Sequence, residues 1–194
     1  MKYLAFILLV LSLALNPTRT FSWDSDAAKF YPLAVGNKWV YAYYYTQWGN
    51  TYFGGYRTTQ IVSDTVIAGH KYYRFTSNVS SCDNFIFERI DSTTMNIYRR
   101  SATTGAEQLL DSLLTRVNNT YFGKRNCMAM PNIPVRCQDT NMITILGIQR
   151  RTKMLIADGA IYTSYRFAEN IGISGLFGSE GNSWSNSLTG CVLN

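Results

Sequence analysis

Between Lys38 and Thr46 the chain alternates two sets of side chains. Trp39, Tyr41, Tyr43 and Tyr45 form one set, and Val40, Ala42 and Tyr44 the other. A period of two marks a β-strand. Both sets are apolar or amphipathic, so this strand is expected to be covered on both faces. The polar turn Val35-Gly36-Asn37 launches it, and Pro32 closes off any helix before it. The polar segment from Trp23 to Tyr31 reads as an extended lead-in or one helical turn.

The same alternation recurs down the chain. TTQIVSDTVI and KYYRF, separated by Ala68-Gly69-His70, predict a hairpin within Arg57–Phe75. NFIFERI and MNIYRR around Asp91-Ser92-Thr93-Thr94 predict a second, with Phe85 and Phe87 opposite to Ile86, Glu88 and Ile90. Met142–Ala157 reads as one long strand, turning at Asp158-Gly159 into a second arm over Ala160–Glu169. Ile161, Thr163, Tyr165 and Phe167 would share one face of that arm. Ala106–Val117 breaks the pattern: Leu109, Leu110, Leu113 and Leu114 have helical spacing, and the segment reads as a short helix or a loop with apolar anchors. The glycine-rich Asn170–Gly181 is expected to bend sharply. Trp184–Leu193 supplies a last edge or closing strand. Trp48, Tyr52, Phe53 and Tyr56 crowd a stretch punctuated by Gly49-Asn50 and Gly54-Gly55. They read either as a hydrophobic cap on one end of the sheet or as an exposed platform for a sugar or lipid.

The N-terminus changes the picture from fold to compartment. Lys2, the apolar run Leu4–Leu15, and small residues Thr20 and Ser22 have the layout of a signal peptide cut before Trp23. The run is shorter than the roughly 20 residues of a membrane span. The expected organisation is therefore a signal peptide over residues 1–22 and one domain over 23–194, secreted or periplasmic, with no transmembrane segment after cleavage. Cleavage removes Lys2 and Arg19 and lowers the net charge from +6 to +4. The basic residues are scattered apart from the pairs Arg99-Arg100, Lys124-Arg125 and Arg150-Arg151, a pattern that does not suit nucleic acid. Cys82, Cys127, Cys137 and Cys191 make an even set in an export product, which points to two disulfides. Of the three pairings, Cys127–Cys137 across a Pro131- and Pro134-containing loop and Cys82–Cys191 at the C-terminus are expected.

The candidate chemistry is sparse. A catalytic triad would have to use His70, the sole histidine, which falls in a predicted turn. No metal-ligand spacing or phosphate loop occurs, so no cofactor is expected. Paired-carboxylate chemistry needs only two acids. Asp64, Glu88, Asp91, Glu107, Glu169 and Glu180 could supply them. Glu88 alternates with Ile86 and Ile90, and on an interior face it would need an arginine or tyrosine partner.

The segments FYPLAVGNKWVY, SDTVIAGHKYYRF, FERIDSTTMNIYRR and YRFAENIGISGLFGSEG, with the ending LTGCVLN, occur in that order. Together they resemble a group of uncharacterised secreted β-rich proteins of Gram-negative bacteria. That group shows a P-L-x-x-G-N-x-W-x-Y start, a D-T-x-I-x-G-x-x-Y-Y hairpin, an R-I-D hairpin and a Y-A-x-x-I-G-I close. Its usual ending, L-x-G-x-x-x-N, is matched by Leu188, Gly190 and Asn194. The four cysteines are no part of the pattern. The resemblance covers nearly the whole mature chain. It implies export and an antiparallel β fold, and it carries over no catalytic residue.

The sequence thus predicts an all-β domain: a curved antiparallel meander, forming an incomplete barrel or a sandwich, with room for one short helix. Three functions fit it. The first is a non-enzymatic binding or structural module for a carbohydrate, lipid or cell-surface component. The second is a carrier holding an apolar ligand against a concave half-barrel lined by Phe85, Phe87 and Tyr165. The third is a carboxylate-based hydrolase.

Overall fold

A computed structural model describes residues 24–77, 85–123, 133–159, 162–180 and 182–194. The proposed leader (residues 1–22), Cys82, Lys124-Arg125, Cys127, Pro131 and Ile161 lie outside them. The chain forms one twelve-stranded antiparallel sheet that is nearly closed into a barrel. Its strands are β1 (Lys38–Gln47), β2 (Asn50–Ile67), β3 (His70–Ser77), β4 (Phe85–Ile90), β5 (Asn96–Ser101) and β6 (Glu107–Ser112). They continue as β7 (Thr120–Gly123), β8 (Ile133–Ile145), β9 (Ile148–Asp158), β10 (Tyr162–Ala168), β11 (Gly172–Glu180) and β12 (Asn182–Val192).

Every strand pairs with its sequence neighbours except at one place. β6 and β7 are the two edges of the sheet, and β1 instead pairs with β12. The first and last strands therefore close the barrel, and the seam falls in the middle of the chain. The seam edges still approach each other. A Cβ on Gly123 would sit 2.5 Å from the Leu110 carbonyl oxygen, and Tyr121 of β7 donates a hydrogen bond to Asp111 of β6 at 2.8 Å. The last strand is thus the closing strand and not an edge.

The turns explain the strands. Ala68-Gly69 has positive φ at both residues (49° and 80°), the twist that a two-residue hairpin requires. Asp91 accepts hydrogen bonds from Thr93 and Thr94, and so holds the β4–β5 turn. Three sequence expectations are corrected. Met142–Ala157 is two strands, because Leu146-Gly147 forms a second turn with positive φ (50° and 80°). Glu107–Ser112 is a strand and not a helix: the register slips between Ile97 and Tyr98, opposite Asp111 and Leu109, so Leu110 is a bulge residue. The glycine-rich segment bends sharply only at its start, in the β10–β11 turn where Asn170 and Gly172 have positive φ (57° and 91°), and the rest is β11, a full strand paired on both sides. Among the described residues helix is confined to α1 (Ser25–Ala28), whose N-cap Asp24 accepts from the Asp26 and Ala27 amides.

Cross-strand neighbours lie on one face of a sheet. The run Cys137, Leu155, Tyr165 across β8 to β10 is buried and defines the interior. There Ala27, Tyr31, Met95, Ile97, Leu110, Leu113, Val135 and Phe167 complete one core cluster. A second cluster gathers Trp39, Ile61, Ala168 and Ile171. The N-terminal segment caps this end: Tyr31 packs edge-on to Phe167 at 5.8 Å, and the Lys29 carbonyl accepts from the Asn170 amide. Gly36, at φ 95°, lies where a Cβ would collide with the Asn194 side chain. Asn194 donates from its backbone amide to Asn37 Oδ1 and from its side chain to the Val35 carbonyl. The Gly-Asn turn and the last residue therefore clasp each other.

Candidate functional site

The aromatic strand is covered on both sides only over its first half. Trp39 is 5% exposed and Ala42 is buried, but Tyr44 and Tyr45 are exposed. Beyond Ala42 the β1–β2 hairpin carries its rings into solvent. This corrects the expected two-sided cover, and the glycine-punctuated stretch that follows is mostly strand. Residues 48–49 alone turn the chain; Phe53 and Tyr56 lie within β2, and Gly54-Gly55 forms a bulge opposite Tyr43 and Tyr44.

The four aromatic candidates do not make one platform. Phe53 stands opposite Tyr44 with centroids 5.5 Å apart, and Tyr56 packs on Phe53 at 5.2 Å, all on the outer face. Trp48, 88% exposed, occupies the turn with φ 53°. Tyr52 lies on the inner face, opposite Tyr45. All four are exposed and cap no core.

The inner face carries a longer aromatic strip. One cross-strand row runs Val135, Ala157, Thr163, Gly178, Trp184, Tyr45, Tyr52 from β8 to β2. The neighbouring row runs Cys137, Leu155, Tyr165, Leu176, Asn186, Tyr43. Both begin in the core; the first ends at rings in solvent, with Tyr45 37% and Tyr52 43% exposed, and the second ends at the half-buried Tyr43. Tyr43 and Tyr45 stack at 6.0 Å and 27°, and Tyr45 and Tyr52 at 5.4 Å and 23°. Two glycines let rings lie down on the sheet. A Cβ on Gly54 would overlap the Tyr43 ring, and one on Gly178 would overlap the Trp184 indole. Arg57 lays its guanidinium over Tyr43, 3.4 Å from the centroid.

Two polar atoms beneath this strip have no hydrogen-bond partner: Asn186 Oδ1 and Thr163 Oγ1, on residues 7% and 5% exposed. A buried polar atom left unsatisfied costs about 1–3 kcal/mol. Tyr43, Tyr45, Arg57, Trp184, Asn186 and Thr163 were not among the sequence candidates. The alternation had placed Tyr43 and Tyr45 on one face, but only the pairing of β12 with β1 adds Trp184 and Asn186.

Five of the six candidate acids are held by cations, and the side chain of the sixth, Glu180, is outside the described residues. Glu88 is buried as expected of an interior position, and Arg99 directly opposite reaches it at 2.6 Å while the Tyr31 hydroxyl donates to its other oxygen. Arg89 bridges Glu107 at 2.8 Å and Asp91 at 3.2 Å. Asp64 pairs with Lys71 and Glu169 with Arg151. The Arg89 hydrogen bonds hold the Glu107 carboxyl below its ordinary range against the opposing effect of burial. Burial would raise Asp91, yet the bonds from Thr94, Arg89 and Thr93 bring it below that range too. A glycosidase acid needs the opposite shift.

Of the residues named for an apolar cavity, Tyr165 is a core filler that donates to the buried Asp111 at 2.6 Å. Phe87 lies on the opposite face, since its neighbour Glu88 faces the interior; the side chain of Phe85 is outside the described residues. His70 is exposed beside the β2–β3 turn. Cys137 is buried and Cys191 half-buried, and no disulfide joins described residues, the expected partners Cys127 and Cys82 lying outside them. No helix among the described residues is long and apolar enough to cross a membrane, and no described cluster of His, Cys, Asp or Glu has a metal-binding arrangement.

No protein-family model matches the chain, and no curated protein matches it. Among solved structures it is similar to one described as a "putative lipoprotein" of Parabacteroides distasonis, at 13% identity and a TM-score of 0.43, over 84% of this chain and 98% of the other.

Proposed function

We propose that the protein is an exported, non-enzymatic binding module whose ligand lies along the inner aromatic strip. The observation that carries this reading is the set Tyr43, Tyr45 and Tyr52, stacked on one another with two of the rings well exposed, where a core would have buried them. Large aromatic faces left in solvent on a rigid sheet favour a ligand with a flat apolar side. Export rests on the leader-like residues 1–22. The binding reading is preferred to hydrolysis because Glu107 and Asp91 are locked as carboxylates by one arginine.

The test is a titration of the purified mature protein, followed by tryptophan fluorescence, with soluble oligosaccharides, aromatic peptides and phosphatidylcholine vesicles. A member of this panel should bind, and Tyr45→Ala with Tyr52→Ala should weaken that binding about tenfold or more, at about 0.5–1.5 kcal/mol per stacked ring. The thermal melt should hardly move. Binding that survives the double substitution would refute the strip as the site. Intact mass of the exported protein should show a start near Trp23; a product retaining Met1 would refute export by cleavage.

A further inference from the structure

We propose that the ligand of the strip is an acidic carbohydrate, a chain of pyranose rings carrying carboxylates, with Arg57 as the carboxylate anchor. This rests on the strip being the binding surface.

Three features converge on that chemistry. First, Trp184 lies over Gly178, so its indole offers a face to the ligand, and the exposed rings of Tyr45 and Tyr52 continue that surface. The axial C–H side of a pyranose is a flat apolar surface of matching size, and its rim is hydroxylated. Second, Arg57 is stacked on Tyr43 and no carboxylate of the described residues pairs with it, in contrast to Arg89, Arg99 and Arg151. Stacking occupies the face of a guanidinium and leaves its in-plane N–H edge to engage a carboxylate with two parallel hydrogen bonds. Third, Asn186 and Thr163 bring unpartnered oxygens under the same rings. Asn186 pairs in register with Tyr43, and Thr163 with Gly178, the residue that Trp184 covers. A modest shift of either ring would open these oxygens to ligand hydroxyls. A lipid tail would find tyrosyl hydroxyls and an arginine where it needs a dry wall. The net charge of the chain without its leader, +4, also draws in a polyanion.

The experiment uses the mature protein and two probes, an oligogalacturonate and its methyl ester, which share the sugar backbone and differ in the charge and one methyl of each carboxyl group. The acid should bind about tenfold more tightly than the ester at low salt, with the difference shrinking as salt is added. Arg57→Gln should abolish the preference, and Arg57→Lys should keep part of it, as charge without the fork. Asn186→Ala should weaken both probes alike. Near-UV circular dichroism confirms that each variant is folded. Equal binding of acid and ester, or a preference that persists in Arg57→Gln, would overturn the proposal. So would binding of neither probe while a peptide or vesicle still depends on Tyr45 and Tyr52; that outcome spares the strip. Loss of dependence on Tyr45 and Tyr52 for every probe would instead sink the strip itself.

Discussion

Replacing Trp39 by alanine tests the architecture at the point where most of it meets. Trp39 is 5% exposed and packs among Ile61, Ala168 and Ile171. Its ring stacks on Phe75 with centroids 6.4 Å apart and planes 15° apart, and its Nε1–H donates to the Ile171 carbonyl. Truncating a buried tryptophan costs about 3–5 kcal/mol, because the lost transfer energy is compounded by the cavity left behind. The Ile171 carbonyl would in addition lose its indole partner in a buried site, which places the cost in the upper part of that range. For a domain of this size each kcal/mol lowers the melting temperature by about 2–4 °C, so a fall of about 10 °C or more is expected. Trp39→Phe keeps the ring and loses the hydrogen bond, and should fall between. Trp48→Ala is the control: at 88% exposure it should stay within about 0.5 kcal/mol of the parent. Urea and thermal melts of the three variants decide the matter. If Trp39→Ala melts with the parent, or no lower than Trp48→Ala, the inner face has been assigned to the wrong side of β1.

Three further outcomes are expected. The Arg89 hydrogen bonds depress the Glu107 pKa, so the pair contributes stability above the unfolded value near 4.5 that is lost as pH falls through the lower folded value. The urea midpoint should drop on acidification and Glu107→Gln should flatten that drop; identical profiles would show that the pair contributes nothing. Lys153 is buried and donates to the Leu113 carbonyl, and burial pushes its pKa below 10.5. The unfolded chain then holds the proton more tightly, so stability rises with pH between the two values; Lys153→Met should raise the melting temperature and remove that rise, and a lower melt would contradict it. Non-reducing peptide mapping of the exported protein should recover Cys127–Cys137 and Cys82–Cys191, the first contributing about 2–3 kcal/mol; free thiols or another pairing would refute the assignment.

The local part of the fold was legible in the sequence. Ala68-Gly69 and Asp91 to Thr94 announce their hairpins because the turn chemistry and the flanking alternation agree. The misreadings occur where one bulge or one unusual residue interrupts a simple period. Leu110 sits in a bulge and Leu113 just past the strand, so leucines at helical spacing came from a strand that slips register. Leu146 takes a left-handed conformation that leucine rarely adopts, which hid the turn it makes with Gly147. The glycines of β11 read as a bend, but Gly178 is small because Trp184 needs the space. The site was legible only in part. Tyr52 was a candidate and lies on the strip, while Phe53 and Tyr56 face the other way. Which ring faces inward depends on the bulge between Tyr43 and Tyr44, and the partner rings come from β12, at the far end of the chain.

That placement of β12 has a consequence for how the molecule can be assembled. The hydrogen bonds that join the two halves of the sheet link residues such as Val40 and Thr189, 149 positions apart. Two half-sheets, β1 to β6 and β7 to β11, can form from local hairpins, but they cannot join until the final strand exists. Distant pairings are the slow ones to form. A chain reopened between Ser112 and Thr120, with Asn194 joined to Asp24, would turn the β12–β1 contact into a nearby connection and place both new ends at the existing seam. The same sheet would then be one uninterrupted meander, with only the contacts across the β6–β7 seam left to form between distant residues. In the natural order of the chain, a nascent protein lacking its last dozen residues holds two unfinished sheets, each with an unpaired edge where β12 belongs.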